Sequence, residues 1–422
     1  MKVKCLIEVY KCMMQDLLAR YGVKVISIHA YFLSIFFKIG GLRRQQLSLL
    51  MFAHRISPSL FLAKAVKKEL PVLTKHFSSL VTRDVQLKEA CGRSIILAVP
   101  KYNQDQLVSK GILLITFTRT FSFYFHNIDI PSLMREYTIV LEPSWAGYCD
   151  PDILFWGIYN EPVIVESTER RDRELLTELG TNLVPVSFGA SDWVDYRIFH
   201  PIDAEIKYDV VYVANLTSIK RIHAYLCAIK EATNLEPDFK AALVTAQWGG
   251  RRNMLENLLN YYGLYNKVDC YQDLSQAEVN KIFNSSRVSV LLSLKEGSNR
   301  TLFESLFANT PVITLKENIG VNKDYINEST GLLIDESDLA KSMLHFRNLK
   351  QPLEPREWVM CNISPEVTTQ KLSSAINEVS KLVINNRDVA VKVNAPEVAY
   401  LDKSQASKMP EVYAVLSKYL KK

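Results

Sequence analysis

Two carboxylates stand eight residues apart around the start of a short predicted helix. Glu296 lies in the loop after the apolar run 288–294, and Glu304 lies about one turn inside the helix predicted at 301–308. Carboxylate oxygens accept hydrogen bonds from hydroxyl groups. The pair can therefore contact different parts of one extended ligand, which suits a ligand with two sugar rings. The alternative is that both are helix-start carboxylates stabilised by the helix dipole.

The loop between the two carboxylates favours an anion-binding turn. Gly297 permits a close backbone approach, and Ser298 or Asn299 can cap the helix that follows. The first turn of that helix has free N–H groups and the positive end of the dipole, which suit a phosphate or a polar sugar. In open parallel sheets such loops lie at the carboxyl ends of the strands, where ligands bind.

Lys220 is a second candidate for phosphate binding. It stands at the start of a helix predicted at 220–231, directly after the apolar run 209–213. Its compact ammonium group can neutralise the charge of a phosphate group. The alternative is an exposed surface lysine.

The segment 295–313 resembles the E-x7-E motif of retaining GT-B glycosyltransferases, particularly family 4 (glycosyl transferases group 1). The following turn, Asn309-Thr310-Pro311-Val312, is similar to that family's GTPV turn. The resemblance implies that Glu296 contacts the donor sugar and Glu304 the ribose of the nucleotide. It also implies a donor-binding loop made of Gly297, Ser298, Asn299, Arg300 and Thr301.

Two further segments resemble the family in the same order. The stretch 212–220 is similar to the segment whose basic residues bind the diphosphate; Lys220 keeps the lysine, and Asn215 stands where arginine is usual. The stretch 244–251 resembles the turn after the next strand. The resemblance there implies donor contacts from Gly249 and Arg251.

Alternating strands and helices indicate two doubly wound domains. Apolar runs recur from residue 94 to 186 and again from 209 to 315, with helical stretches between them. The stretch 189–201 resembles the family's hinge. We predict an α/β chain of GT-B class: two Rossmann-like parallel-sheet domains facing a cleft, with an added helical N-terminal region. The predicted boundaries are 1–92 (helical region), 93–195 (acceptor domain), 196–393 (nucleotide-sugar domain) and 394–422 (tail).

The N-terminal half departs from the family, because it has no convincing Gly-Gly loop after a first strand. Acceptor and proton-transfer groups are therefore sought at the ends of its predicted strands. His126 is the first candidate, since histidine transfers protons near neutral pH; a structural histidine is the alternative. The remaining candidates are Arg119, Glu142 with Trp145, Asp150 and Glu169.

The basic N-terminal region leaves its partner open. Residues 1–90 hold 15 Lys or Arg against 5 Asp or Glu, although the whole chain is only +6. Such a region can meet anionic lipid, an acidic acceptor or nucleic acid, and no nucleic-acid motif accompanies it. The apolar run 25–37 is predicted to be a buried element, with a membrane-surface element as the alternative and a transmembrane anchor the least favoured.

These patterns predict a glycosyltransferase that uses a nucleoside diphosphate sugar. The seven scattered cysteines contain no C-x-x-C pair and favour a reducing, cytoplasmic location. No metal and no cofactor is expected, since the family resemblance implies none. A glycan or lipid-linked acceptor and peripheral contact with an anionic membrane complete the prediction. A sugar-nucleotide epimerase and a catalytically inactive binding protein on the same scaffold remain the alternatives.

Overall fold

The computed structural model describes residues 2–246, 252–394 and 398–421. The chain forms two compact units, which we call the C-terminal unit (Met1–Gly22 with Val194–Ser364) and the N-terminal unit (Val23–Trp193 with Pro365–Lys422). The described α-helices are α1 (Lys2–Leu17), α2 (Val23–Ile39), α3 (Arg43–Ile56), α4 (Leu60–Leu80), α5 (Leu87–Gly92), α6 (Phe121–Asn127), α7 (Ile130–Glu136), α8 (Pro151–Leu154), α9 (Arg170–Leu179), α10 (Ile222–Leu235), α11 (Arg252–Tyr262), α12 (Gln276–Asn284), α13 (Arg300–Phe307), α14 (Leu339–Arg347), α15 (Pro355–Ile363), α16 (Pro365–Val379), α17 (Lys403–Ala406) and α18 (Val412–Leu416). The described β-strands are β1 (Ser94–Ala98), β2 (Lys101–Asn103), β3 (Gln106–Ser109), β4 (Gly111–Thr116), β5 (Tyr137–Glu142), β6 (Val163–Glu166), β7 (Leu183–Val186), β8 (Val210–Val213), β9 (Ala241–Thr245), β10 (Val268–Gln272), β11 (Ser289–Leu291), β12 (Val312–Leu315), β13 (Gly331–Ile334), β14 (Lys392–Asn394) and β15 (Val398–Tyr400).

A parallel sheet forms the centre of the C-terminal unit, with strand order β10-β9-β8-β11-β12-β13. Its central strands are short apolar runs that are buried along their length, as expected where helices cover both faces. Strands β8 to β10 follow one another in one direction and β11 to β13 in the other, so the order reverses between β8 and β11. Ligands of open parallel sheets bind beyond the carboxyl ends of the strands at such a reversal.

The sheet of the N-terminal unit has the order β1-β4-β5-β6-β7. Strands β4 to β7 are parallel, as predicted, but β1 pairs antiparallel with β4. The short link between β1 and β4 contains only the hairpin of β2 and β3. A parallel pairing needs a crossover connection, usually a helix, whereas this link contains a hairpin and returns the chain antiparallel.

The two units divide the chain differently from the predicted boundaries. The change near residue 195 is close to the prediction, but residues 365–393 belong to the N-terminal unit. Leu372 and Ile376 of α16 pack there with Ile95 and Ile112. The predicted tail also packs into this unit, because Leu416 joins its main core.

The predicted helical N-terminal region is present and extends from α1 to α5. Helix α1 belongs to the C-terminal unit, where Val9 and Cys12 join the core. Helix α4 continues through Pro71, although proline usually interrupts a helix. Pro71 is exposed, and the helix lacks only the hydrogen bond that proline cannot donate.

The prediction that residues 25–37 are buried is wrong. In α2 the buried residues are the small Ser27, Ala30 and Ser34, whereas large apolar side chains such as Phe32 and Phe36 are more than half exposed. The small residues allow α2 to lie close to α3, and the Ser27 hydroxyl donates to the Ala53 carbonyl at 2.8 Å. The apolar pattern did not specify which face of this helix another element would cover.

Candidate functional site

An ion pair joins Lys220 and Glu296 at the point where the strand order reverses. Lys220 ends the 3-10 turn Ser218–Lys220 after β8, and Glu296 follows β11. The Lys220 Nζ contacts Oε1 of Glu296, and only 15% and 7% of the two side chains are exposed. Two of the predicted site residues, 76 positions apart, therefore meet at the carboxyl edge of the sheet.

The backbone around Lys220 is fixed from two sides. The Tyr212 hydroxyl at the end of β8 donates to the Lys220 carbonyl at 2.8 Å. Arg221, the next residue, has a φ of 52°, a left-handed conformation that side chains other than glycine seldom adopt. Its guanidinium is 2% exposed and donates to the Leu292 carbonyl, after β11, at 3.1 Å. Arg221 therefore links the loops after β8 and β11, a role that no pattern in the sequence predicts.

The Arg221 guanidinium is neutralised by acidic residues from two elements. It contacts Asp16 of α1 at 2.6 Å and Glu336 at 2.8 Å, and His223 Nε2 lies 3.0 Å from Asp16. Burial opposes ionisation of Asp16, but hydrogen bonds with His223 and Arg221 outweigh it and lower the pKa of Asp16 to about 2. This network holds α1 beside the backbone turn that carries Lys220.

Glu296 is held by its own loop and by the segment after β12. The Ser293 hydroxyl donates to Oε1 of Glu296, and the backbone N–H of Glu296 donates to the Ile319 carbonyl at 2.8 Å. Gly320 has a φ of 118°, and a Cβ placed there would lie 2.2 Å from the Glu296 carbonyl oxygen. The site therefore requires glycine at position 320.

We expect Gly320→Ala to destabilise the protein by at least about 1–3 kcal/mol, the usual cost of a strained backbone conformation. The new methyl group must also displace the Glu296 backbone. Thermal unfolding measures the loss, and Gly92→Ala is the matched control because nothing lies within 4 Å of a Cβ at Gly92. Equal melting temperatures for the two variants would contradict the close approach.

The predicted donor loop leads into α13, and the side chain of Asn299 caps the first turn of this helix. The Asn299 side chain accepts from the Leu302 N–H and from the Thr301 hydroxyl, both at 3.0 Å. The sequence predicted either Ser298 or Asn299 as the N-cap, and the structure shows that it is Asn299. Gly297, Ser298, Arg300 and Thr301 are partly exposed around this helix start, where N–H groups and the dipole favour anions.

Glu304 lies inside α13 and is 6% exposed. Burial raises the pKa of its carboxyl group, and the nearby Arg300 opposes the shift. Within the described ranges no hydrogen bond or ion pair reaches this carboxyl group. Buried carboxylates normally have such partners, so Glu304 retains the capacity to accept two hydroxyl donors from a ligand.

Of the other predicted donor residues, the structure describes Asn215. The Asn215 side-chain oxygen accepts from the Thr217 N–H at 3.1 Å and from its hydroxyl at 2.6 Å, so it shapes the turn before Lys220. Gly249 and Arg251 lie outside the described residues, and their donor contacts stay predictions.

The prediction that His126 ends a strand is wrong, since it lies in the last turn of α6 in the N-terminal unit. Its Nε2 lies 2.8 Å from the Val81 carbonyl oxygen, a contact that fixes the ring. Asp150 likewise caps α8 and Glu169 caps α9. The contact with Val81 agrees with the alternative that His126 is a structural histidine. Its catalytic role stays a prediction.

Glu142 and Glu166 form a buried cluster at the carboxyl ends of β5 and β6, with Lys392 of β14. The Lys392 ammonium is fully buried, contacts Glu142 Oε2 and lies 4.8 Å from the Trp193 ring centroid. Burial, followed by the charge of Glu142, raises the pKa of Glu166 well above its usual range. Glu142, one of the predicted strand-end candidates, is therefore paired with Lys392, a partner that no pattern in the sequence predicts.

Residues 199–353 match the family model described as Glycosyl transferases group 1. The match extends from before β8 to beyond α14 and includes Lys220, Glu296 and Glu304. No curated protein matches the chain.

Solved structures with the same fold include S. aureus TarM, which is 16% identical over 63% of this chain and 54% of TarM, with a TM-score of 0.51. The pneumococcal O-GlcNAc transferase GtfA, solved with UDP and GlcNAc, is 15% identical over 59% of this chain and 54% of GtfA, with a TM-score of 0.44. Anabaena HepE, solved with UDP and glucose, is 14% identical over 63% of this chain and 77% of HepE, with a TM-score of 0.48. The chain spans about half the length of TarM and GtfA. The fold class is GT-B, as the sequence predicted.

Proposed function

We propose that this chain, a GT-B protein with a glycosyl transferases group 1 domain at residues 199–353, is a glycosyltransferase. It moves a sugar from a nucleoside diphosphate sugar to an acceptor hydroxyl and retains the anomeric configuration. One observation carries the proposal: Lys220 and Glu296 meet at the reversal of strand order, beside the N-terminus of α13. The ammonium group of Lys220, which suits a diphosphate, is therefore next to the carboxylate of Glu296, which suits sugar hydroxyls.

The three groups can be assigned to the parts of one donor molecule. The carboxyl group of Glu304, buried and without a described partner, would accept the two ribose hydroxyls. Lys220 and the first N–H groups of α13 would hold the diphosphate, and Glu296 would bind hydroxyls of the transferred sugar. These assignments to Glu296 and Glu304 are the ones that the family resemblance implies.

Transfer breaks the bond between the anomeric carbon and the phosphate oxygen and forms a bond to the acceptor oxygen. Positive charge develops on the sugar ring, as in other glycosyl transfer, while negative charge develops on the departing diphosphate. Lys220 and the α13 dipole stabilise that negative charge from groups already in place. The acceptor proton leaves with the diphosphate, so atoms and charges balance in the step.

Lys220 would exchange its partner when donor binds. A diphosphate carries more negative charge than the carboxylate of Glu296, so it competes for the ammonium group. Glu296 would then be free to accept from the sugar hydroxyls, while the Ser293 hydroxyl continues to orient it. Donor binding thus separates the pair into its two functions.

The acceptor in this proposal is a glycan or a lipid-linked glycan in cell-surface polysaccharide or glycoconjugate synthesis. The enzyme would act in the cytoplasm, in peripheral contact with an anionic membrane through its basic N-terminal region. The net excess of basic residues in the first 90 positions supports this location.

A thermal-shift screen with UDP-, GDP- and ADP-sugars tests the donor site. A ligand that binds only the folded protein at 100 times its Kd stabilises it by about 2.7 kcal/mol, so we expect one nucleotide class to raise the melting temperature. Glu304→Ala should weaken that shift because the ribose loses its acceptor. A screen with no shift for any donor would contradict the proposed function.

Product analysis separates transfer from the two alternatives. Transfer, or slow donor hydrolysis without acceptor, releases the nucleoside diphosphate. A sugar-nucleotide epimerase converts one donor sugar into another, and an inactive binding protein shows a thermal shift without any product.

A further inference from the structure

We propose that the outward face of α2 docks onto an anionic lipid bilayer. The outward face comprises the exposed apolar residues of this helix, namely Val25, Ile26, Ile28, Phe32, Leu33, Ile35, Phe36 and Ile39. This inference deepens the proposed function, on which it rests only for the location of the acceptor. The proposed function assigns membrane contact to the basic N-terminal region as a whole. Here the contact is assigned to the outward face of α2, which would insert into the bilayer surface.

The helix presents its apolar residues in the direction opposite to that of an ordinary surface helix. Such helices turn apolar side chains toward the core and polar ones toward water. In α2 the residues that face α3 are small, namely Ser27, Ala30 and Ser34, and Phe36 is 69% exposed. Contiguous exposed apolar patches of this kind mark sites of membrane or protein contact.

Neighbouring elements extend the outward face. The ring of Tyr31 lies 5.2 Å from that of Phe61 in an edge-on contact, which joins α2 to the start of α4. Leu60 and Phe61 are both more than half exposed, and Leu42 in the turn after α2 is nearly so. The apolar surface therefore includes three chain segments of one unit.

Charge decides which occupant fits this surface. Residues 23–68 contain 8 Lys or Arg and no Asp or Glu. Lys24 at the start of α2 and Lys64 and Lys68 on α4 are exposed, whereas Lys38 at the end of α2 is paired with Glu69 of α4. Basic residues around an apolar face match the headgroups and acyl chains of an anionic leaflet. A second copy of this chain would place two equally basic surfaces together.

The helix lies in the plane of the membrane in this proposal. By length and composition alone, Lys4–Ile39 could cross a membrane. The Ser27, Ala30 and Ser34 side of α2 is instead packed against α3, so only the opposite side can meet lipid. One-sided exposure is characteristic of an interfacial helix.

Vesicle co-sedimentation of the full chain tests the proposal. We expect binding to phosphatidylcholine vesicles that contain about one-third phosphatidylglycerol, and much weaker binding to pure phosphatidylcholine, because basic residues near the surface add to the affinity for anionic lipid. Phe32→Ser combined with Phe36→Ser should lower the partition coefficient at least about tenfold. Lys64→Gln combined with Lys68→Gln should lower it severalfold, and only for the anionic vesicles.

The matched control removes two exposed apolar side chains elsewhere in the same unit, Val383→Ser and Tyr413→Ser, and should bind as the parent does. Unchanged binding of the Phe32 and Phe36 double variant would overturn the proposal. So would a parent dimer that the same variant dissociates, without vesicle binding. Donor-induced thermal shifts of the variants are read separately, since failure of the proposed function removes those shifts and leaves vesicle binding intact.

Discussion

Replacing Lys220 with methionine is expected to lower kcat about 10²–10³-fold, the loss found when one preorganised donor to a developing negative charge is removed. Methionine keeps most of the apolar stem and removes the ammonium group, so the effect reports on charge. That loss corresponds to about 2.7–4 kcal/mol of transition-state stabilisation. Release of the nucleoside diphosphate, followed with the donor that the thermal screen identifies, is the measurement.

Two controls separate catalysis from folding. Lys316→Met removes an exposed lysine that pairs with Asp335 in the same unit and should turn over as the parent does. Lys220→Met leaves Glu296 without its ion-pair partner, so the double variant with Glu296→Gln should recover stability but not activity. Recovery of turnover in the double variant would show that the lysine only neutralises its neighbour.

Replacing Lys392 with methionine is expected to destabilise the N-terminal unit by about 3–5 kcal/mol. Its ammonium is fully buried between Glu142 and the Trp193 ring. Without it the Glu142 carboxylate stays buried beside Glu166 with no opposite charge. Denaturant unfolding, followed by tryptophan fluorescence, measures the loss.

The double variant with Glu142→Gln should recover much of the stability, because no uncompensated charge is then buried. Lys101→Met is the surface control, since the Lys101 ion pair with Asp388 is largely exposed and should cost less than about 1 kcal/mol. Similar losses in the free energy of unfolding for Lys392→Met and Lys101→Met would show that the buried pair contributes no more than an exposed one.

Local patterns predicted the central strands and the turn before α13 well. Strand β9 and helix α12 are examples, since apolar periodicity and the Ser275 capping box are properties of adjacent residues. The roles that the resemblance at 295–313 implies for Glu296 and Glu304 stay predictions. The order of motifs along the chain also led to Lys220, which the structure places against Glu296.

Features that depend on distant residues could not be predicted from the sequence. Asp16 contacts Arg221 from 205 positions away, and Lys392 contacts Glu142 from 250. The left-handed backbone of Arg221 has no local signal, because such positions favour glycine. The outward orientation of α2 was missed for a related reason: periodicity identifies a helix but not the element that covers it.

The most direct measurement of the central claim is a crystal structure with the donor's nucleoside diphosphate bound. We expect diphosphate oxygens within about 3 Å of the Lys220 Nζ and of N–H groups at the start of α13, with the ribose hydroxyls against Glu304. A nucleotide bound elsewhere, with the Lys220 and Glu296 pair intact, would contradict the account.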